Sequence, residues 1–246
     1  MSAEAISDAP PAKPKRITVY RHATTVRVTH WINVFCVFVL ILSGINILAA
    51  HPALYWGLQS DFRHPWIVLP RGLPGWPKLP SIRDLAAGRN WHFFAAWIFV
   101  VNGALYLAHG FWRKHFAKDL VPTKAELAAI PEVAKEHAKL HFPHVRRYNV
   151  LQQLTYLAVI FVLLPLMVLT GLTMSPGFDA ITHGLLNLFG GRQSARTIHF
   201  ICAAGITGFI FVHLALVLVS GLRNNIISMI TGRYEIEPEH TTGAKP

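Results

Sequence analysis

The sequence is short of charge and of cysteine. Only 14% of its 246 residues are charged, whereas soluble domains are about 25% charged, so this chain cannot surround itself with a polar surface. Its two cysteines, Cys36 and Cys202, lie inside apolar stretches and outside any CxxC or CxxCH pattern. A zinc ribbon and covalent attachment of a c-type haem are therefore excluded.

Several functional classes are excluded by missing motifs. The sequence has no nucleophile motif, no paired carboxylates and no phosphate-binding loop, so hydrolytic and phosphoryl-transfer chemistry have no support. Its net charge of +11 could suggest nucleic acid as a partner. The basic residues, however, lie in separate segments between apolar stretches rather than along one stripe. We therefore expect membrane lipid, and no nucleic acid, as a partner.

Four stretches contain no Lys, Arg, Asp or Glu and are long enough to cross a bilayer. A hydrocarbon core of about 30 Å needs about 20 mainly apolar helical residues. Pro165 lies inside the third stretch, where a kink is tolerated if neighbouring groups take up the freed carbonyl. The sequence thus predicts an all-α integral membrane four-helix bundle. The predicted spans are 28–50, 90–112, 150–174 and 197–222.

The charged segments predict the domain organisation and the orientation. Residues 1–16 are polar and proline-rich and are expected to be a disordered tail, 17–233 the membrane domain, and 234–246 a second tail. Sixteen Lys and Arg residues lie in the two tails and in the loop between spans two and three, against seven in the other loops. The positive-inside rule then places both termini in the cytoplasm. The predicted location is a bacterial inner membrane.

Two of the loops have a predicted role or structure. Residues 51–89 are rich in proline and contain Trp56, Trp66 and Trp76, a composition that favours an ordered cap or a docking surface. In the loop between spans two and three, Thr123 and Glu126 have the spacing of a helix capping box.

Two histidines in the fourth span point to a cofactor. His199 and His213 are fourteen residues apart, which places them about 40° apart on one helix face and about 21 Å apart along the axis. Two haems stacked through a bilayer need ligands at this separation. Either histidine alone would more often be a polar group bonded to a neighbouring helix, but the shared face favours ligation.

Each haem needs a second axial ligand at the same depth. His92 opens span two on the side where His199 opens span four, and His30 opens span one on the side toward which His213 lies. His109 is an alternative partner of His213. Its seventeen-residue separation from His92 puts the two about 100° apart around the helix, so His30 is favoured, and His109 is expected at the interface. Arg27 and Arg196, each three residues before a predicted ligand, could neutralise haem propionates or simply lie at the interface.

Several motifs resemble a large family of membrane cytochromes b. That family includes the membrane subunits of nickel–iron hydrogenases, the gamma subunits of formate dehydrogenases and thiosulfate-reductase-type cytochromes b. The resemblance covers about residues 17–233. The motifs are Arg27-Val-Thr-His30-Trp31, Trp91-His92-Phe-Phe, Arg147-Tyr-Asn149-Val-Leu-Gln152, Thr170-Gly171-Leu172 and the His199–His213 pair.

The resemblance implies two haems b, one on His92 and His199 and one on His30 and His213, with a quinone near the second. The family's quinone-lining Asn and Gln correspond to Asn149 and Gln152. This chain has Leu151 where formate dehydrogenase relatives have glycine, and Asn149 is equally suited to be a helix N-cap.

The implied function is that of a respiratory electron-transfer subunit. It would pass electrons between the quinone pool and a periplasmic redox partner, and the long loop 51–89 favours a molybdopterin-type partner over a hydrogenase. The rival interpretation is a non-redox anchor or a transporter that uses its intramembrane histidines as a proton relay.

Overall fold

Four long helices dominate the computed structural model, which describes residues 16–70, 85–139, 147–179, 181 and 183–236. Each is long and apolar enough to cross a membrane. The predicted all-α class and the number of spans are therefore confirmed. The four spans are Thr24–Ala50 (α1), Leu85–Trp112 (α2), Val150–Met174 and Arg192–Val219 (α9).

Three of the helices begin about one turn before the uncharged stretches that predicted them. α1 begins at Thr24, α2 at Leu85 and α9 at Arg192. These first turns carry arginines, whose long side chains allow a helix to start in the interfacial layer. The fourth span ends earlier than predicted, because Gly221 adopts a left-handed conformation (φ 109°) and a separate helix, Leu222–Thr231 (α10), follows it.

The third span is one helical rod with a local change of geometry. It consists of Val150–Ala158 (α5), a π-helical segment Val159–Leu163, and Leu164–Met174 (α6). Pro165 has no N–H to donate to the preceding turn. The wider π turn, in which the Leu164 N–H donates to the Val159 carbonyl, absorbs this loss without ending the span.

The helices pack in two close pairs, α1 with α2 and α6 with α9. Polar side chains join α1 to α2 inside the bundle. The buried Asn102 amide donates to the Thr29 carbonyl at 2.8 Å and to the Asn33 side-chain oxygen at 2.7 Å. Such interhelical hydrogen bonds are favourable where no water competes for the polar groups.

One end of the bundle carries both ends of the described chain. Strand Ile17–Tyr20 (β1) pairs antiparallel with Arg233–Ile236 (β4), and Ile17 lies opposite Ile236. We call this the terminal end. The two ends of the described chain therefore lie on one side of the bundle, while the assignment of that side to the cytoplasm stays a prediction.

Short elements complete both ends. At the opposite end of the bundle, which we call the loop end, Ala53–Leu54 (β2) pairs with Ile67–Val68 (β3). Trp76, in the same loop, lies outside the described residues. Thr123 caps the short helix Lys124–Ala128 (α3) in a capping box with Glu126, as predicted. The remaining elements are Phe116–Leu120 (a π-helical turn), Ile130–Ala138 (α4), Pro176–Asp179 (α7) and His183–Leu188 (α8).

Candidate functional site

The four predicted histidines form two pairs inside the bundle. The ring centres of His30 and His213 are 6.5 Å apart and those of His92 and His199 are 6.3 Å apart. Two imidazoles that bind one metal ion at about 2.0–2.1 Å have ring centres roughly 6 Å apart. Each pair therefore has the spacing of two axial ligands on one iron.

Neither pair could bind a bare metal ion alone. Within the described residues, no group of three or more histidine, cysteine or acidic side chains is placed to hold a metal. A protein site for zinc or another bare ion supplies three or four ligands. Two histidines on opposite sides fit haem iron, because the porphyrin supplies the other ligands.

The hydrogen bonds of His92 set its tautomer. Its Nδ1 lies 2.9 Å from the Ser43 hydroxyl, and that hydroxyl donates its single proton to the Val39 carbonyl at 2.7 Å. Ser43 can then only accept from the imidazole, so Nδ1 carries the proton. The Nε2 lone pair is left for a metal, which is the usual arrangement of a metal-binding histidine.

His199 is held in the same tautomer by two acceptors. Its Nδ1 is 3.1 Å from the Met167 carbonyl and 3.1 Å from the Thr170 hydroxyl. A carbonyl only accepts, and the Thr170 hydroxyl already donates to Leu166 at 2.7 Å. The proton is thus on Nδ1, and Nε2 is available to a metal.

Aromatic contacts orient the other pair instead. The His30 ring meets the Trp31 ring edge to face at 5.4 Å, and Phe209 stacks on His213 at 5.6 Å with an interplanar angle of 24°. The Nδ1 of His30 is buried and has no hydrogen-bond partner among the described residues. No described residue forms a hydrogen bond with the His213 side chain either.

Glycines allow neighbouring helices to approach the His92–His199 pair closely. A Cβ atom added at Gly171 would lie 3.3 Å from Cε1 of His199, and one at Gly44 would lie 3.6 Å from Cε1 of His92. A contact of 3.3 Å is tighter than most real Cβ contacts. Gly171 therefore lets α6 lie against the imidazole of His199.

His109 is not brought to either pair. It is half-buried near the end of α2, and the described structure shows no ring contact between it and His213. The position of His109 therefore agrees with the prediction that His30, and not His109, is the partner of His213. Which of the two histidines binds the iron stays a prediction.

The two predicted propionate partners, Arg27 and Arg196, contact the protein backbone. Arg27 donates to the Ile230 carbonyl and to the Thr24 hydroxyl. Arg196 donates to the carbonyls of His51 and Ala53, which ties the loop-end segment to α9. Each guanidinium has further N–H groups, since it carries five donors.

Asn149 and Gln152 form a capping box at the start of α5. The Asn149 side chain accepts from the Gln152 N–H at 3.0 Å, and the Gln152 side chain accepts from the Asn149 N–H at 3.3 Å. The N-cap role that the sequence left open for Asn149 is therefore present. The box uses the side-chain oxygens and leaves the Gln152 amide N–H groups as donors.

The terminal end holds buried groups that stay uncharged. His22 is buried, and desolvation, together with the nearby Arg21 guanidinium, lowers its pKa to about 4. Arg21 itself lies over the rings of Tyr148 and Tyr234, at 5.0 Å and 4.4 Å. At neutral pH the positive charge here thus comes from arginine and not from His22.

Four side chains that the structure places beside the site had no role predicted from the sequence. Ser43, Thr170 and Phe209 contact the paired histidines, and Gln153 is fully buried near the Glu126 carboxylate. Thr170 belongs to one of the motifs that resemble the cytochrome b family, although no role was predicted for it. Ser43 carries no signal in the sequence, because Ser and Thr commonly bond their own helix in apolar spans. The stacking of Phe209 depends on its four-residue separation from His213, which was visible in the sequence.

Known proteins are similar to this chain over most of its length. Residues 21–232 match the family model described as prokaryotic cytochrome b561. A protein of Azospira oryzae, provisionally named protein-methionine-sulfoxide reductase subunit YedZ1, is 30% identical over 217 residues, which are 86% of this chain and 96% of that protein. No solved structure matches the chain.

Proposed function

Because the chain belongs to the prokaryotic cytochrome b561 family of haem b-binding membrane electron-transfer subunits, we propose that it holds two haems b and links quinone to a periplasmic partner. The His92–His199 and His30–His213 pairs are the proposed axial ligands. Bound haem b supplies an iron that takes up and releases single electrons. The terminal end is proposed to face the cytoplasm and the loop end the periplasm.

The observation that carries this proposal is the spacing of the two histidine pairs. At 6.3 Å and 6.5 Å, both leave room for one iron between two imidazole nitrogens. His92 and His199 also have Nε2 available, because their Nδ1 protons are taken by Ser43, Thr170 and Met167. Arg27 and Arg196 are proposed to neutralise propionates through the N–H groups they have left.

The quinone is proposed to bind at the start of α5. Quinone carbonyls need hydrogen-bond donors, and the capping box leaves the amide N–H groups of Gln152 free to donate. The side-chain amide of Asn149 is a second possible donor, but its Nδ2 lies 3.4 Å from His137 Nε2 and is already engaged in a weak contact. Arg147 lies two residues before Asn149, but its guanidinium pairs with the Glu126 carboxylate at 3.3 Å, so it adds little net positive charge for a reduced, partly anionic quinone.

The periplasmic partner is proposed to dock on the loop end. There Phe62 and Leu58 are 76% and 66% exposed. The Phe62 ring contacts the Tyr55 ring, and the rings of Trp56 and Trp66 pack on each other. Exposed apolar groups on a rigid segment are typical of an interaction surface. The name of the Azospira relative favours a reductase as the partner class, within the molybdopterin-type partners that the sequence suggested.

The haem content of the purified protein tests this proposal. We expect two haems per chain in a pyridine haemochrome assay, and both should be released by acidic acetone because no CxxCH attaches them covalently. A chain that carries one haem, or none, after purification with added haem would contradict the two-pair assignment.

Substitution of Gln152 tests the quinone site. Gln152→Leu removes the free donor, and loss of one hydrogen bond of about 1 kcal/mol should slow quinol-dependent haem reduction several-fold. Haem content and the absorption spectrum should not change. Because Gln152→Leu also breaks half of the capping box, Gln152→Glu is the matched control: it keeps the box acceptor and removes the amide donor. Unchanged kinetics in Gln152→Leu, Gln152→Glu and Asn149→Leu would place the quinone elsewhere.

A further inference from the structure

The two histidine pairs differ in what holds their imidazoles. His92 and His199 each give the Nδ1 proton to an oxygen acceptor, at 2.9 Å for Ser43 and 3.1 Å for Thr170 and for Met167. His30 has a buried Nδ1 without a partner among the described residues. Both imidazoles of the His92–His199 pair are therefore hydrogen-bonded, while the imidazoles of the His30–His213 pair are held by aromatic rings.

This difference acts on the electron density of the ligand nitrogen. When Nδ1–H donates to an oxygen, the ring gains imidazolate character and Nε2 becomes a stronger base. A more basic axial ligand stabilises ferric over ferrous iron, so the reduction potential falls. An imidazole whose Nδ1 proton has no acceptor does not have this effect.

The charged groups nearest the two pairs do not cancel the difference in reduction potential that these hydrogen bonds predict. Arg27 and Arg196 each lie three residues before a histidine of one pair and donate to backbone carbonyls in the same way. His22, at the terminal end, is neutral near pH 7. The hydrogen bonds on Nδ1 are therefore a difference between the two sites that these three groups do not cancel.

We propose that Ser43 and Thr170 are positioning residues that lower the reduction potential of the His92–His199 haem below that of the His30–His213 haem. This rests on the proposed two-haem function. An electron from quinol would then enter at the more oxidising haem and leave, toward the loop end, from the more reducing one. With the proposed orientation, the membrane potential pulls electrons in that same direction.

An optical redox titration of the purified full chain tests this. The wild-type protein should titrate as two one-electron components. In the double variant Ser43→Ala/Thr170→Val, the reduction potential of the lower component should rise by about 59 mV. For a one-electron couple this is about a tenfold change in the equilibrium constant. The upper component should not move. In this variant the Met167 carbonyl still accepts from His199, and the Leu40 carbonyl remains as an acceptor for His92. These backbone acceptors limit the effect.

Thr207→Val is the matched control. Thr207 lies in α9 and donates to the Ala203 carbonyl at 2.7 Å, so it makes the same bond to its own helix as Thr170 but does not contact a paired histidine. It should leave both potentials unchanged. In the oxidised protein, the double variant should also shift only one of the two low-spin EPR signals.

The outcomes separate this inference from the function on which it rests. Fewer than two haems per chain in the wild type would contradict the proposed function and remove the premise. Two haems with an unmoved lower component, or with the shift in the upper one, would overturn the inference alone. Where His92→Ala still folds, its remaining haem should titrate at the upper potential of the wild type.

Discussion

Replacing His30 by alanine is expected to remove one of the two haems and to leave the other bound. His30 and His213 face each other at 6.5 Å, and a single remaining imidazole holds haem b weakly because one axial bond is lost. We expect the haem content per chain to fall from two to one, measured by pyridine haemochrome against protein concentration. The His92–His199 haem should keep its spectrum and its potential.

His109→Ala is the matched control for this experiment. Like His30→Ala, it removes one imidazole from the terminal end of the bundle. The His109 ring, however, has no contact with the His213 ring in the described structure. Both haems should remain. If His109→Ala lost a haem and His30→Ala did not, α2 would ligate both haems, and the spacing seen between His30 and His213 would have another cause.

A second large effect is expected from Gly171→Val. The added Cβ would lie 3.3 Å from Cε1 of His199, and the two methyl groups of valine would come closer still. Either α6 moves away from α9 or the imidazole rotates, and both changes disturb the contacts of His199 with Thr170 and Met167. Overpacking of this kind costs about 1–3 kcal/mol.

The measurement is again haem content, together with the spectrum of the remaining haem. Gly171→Val should lose most of the His92–His199 haem and retain the other. Gly208→Val is the control, because Gly208 lies in α9 and a Cβ there meets nothing within 4 Å. Full haem content in Gly171→Val would mean that the α6–α9 contact is not tight in the protein with haem bound.

The span count and the pairing of the histidines were accessible from the sequence. Long uncharged stretches decide where helices cross a membrane, because a charge is costly in hydrocarbon. Once four spans alternate in direction, each histidine has a known depth. His92 matches His199 in depth, and both His30 and His109 match His213. The choice of His30 over His109 came from the helix face and not from depth, and the assignment of the ligands stays a prediction.

The helix ends were less accessible. α1 and α9 begin within charged turns, since arginine side chains reach out of the apolar layer. The end of α9 was placed too late, because Ser220 and Gly221 are uncharged like the span before them. Only the left-handed backbone at Gly221 marks the break.

The sequence by itself determined what kind of protein this is: an apolar chain with four spans and two depth-matched histidine pairs. Only the tertiary structure decided how the imidazoles are held. Ser43 and Thr170 each bond a carbonyl of their own helix, as many Ser and Thr residues do in apolar spans. Whether such a hydroxyl also meets a histidine depends on the rotation and closeness of neighbouring helices. Those are set by packing at positions such as Gly171, and depth along the membrane does not reveal them.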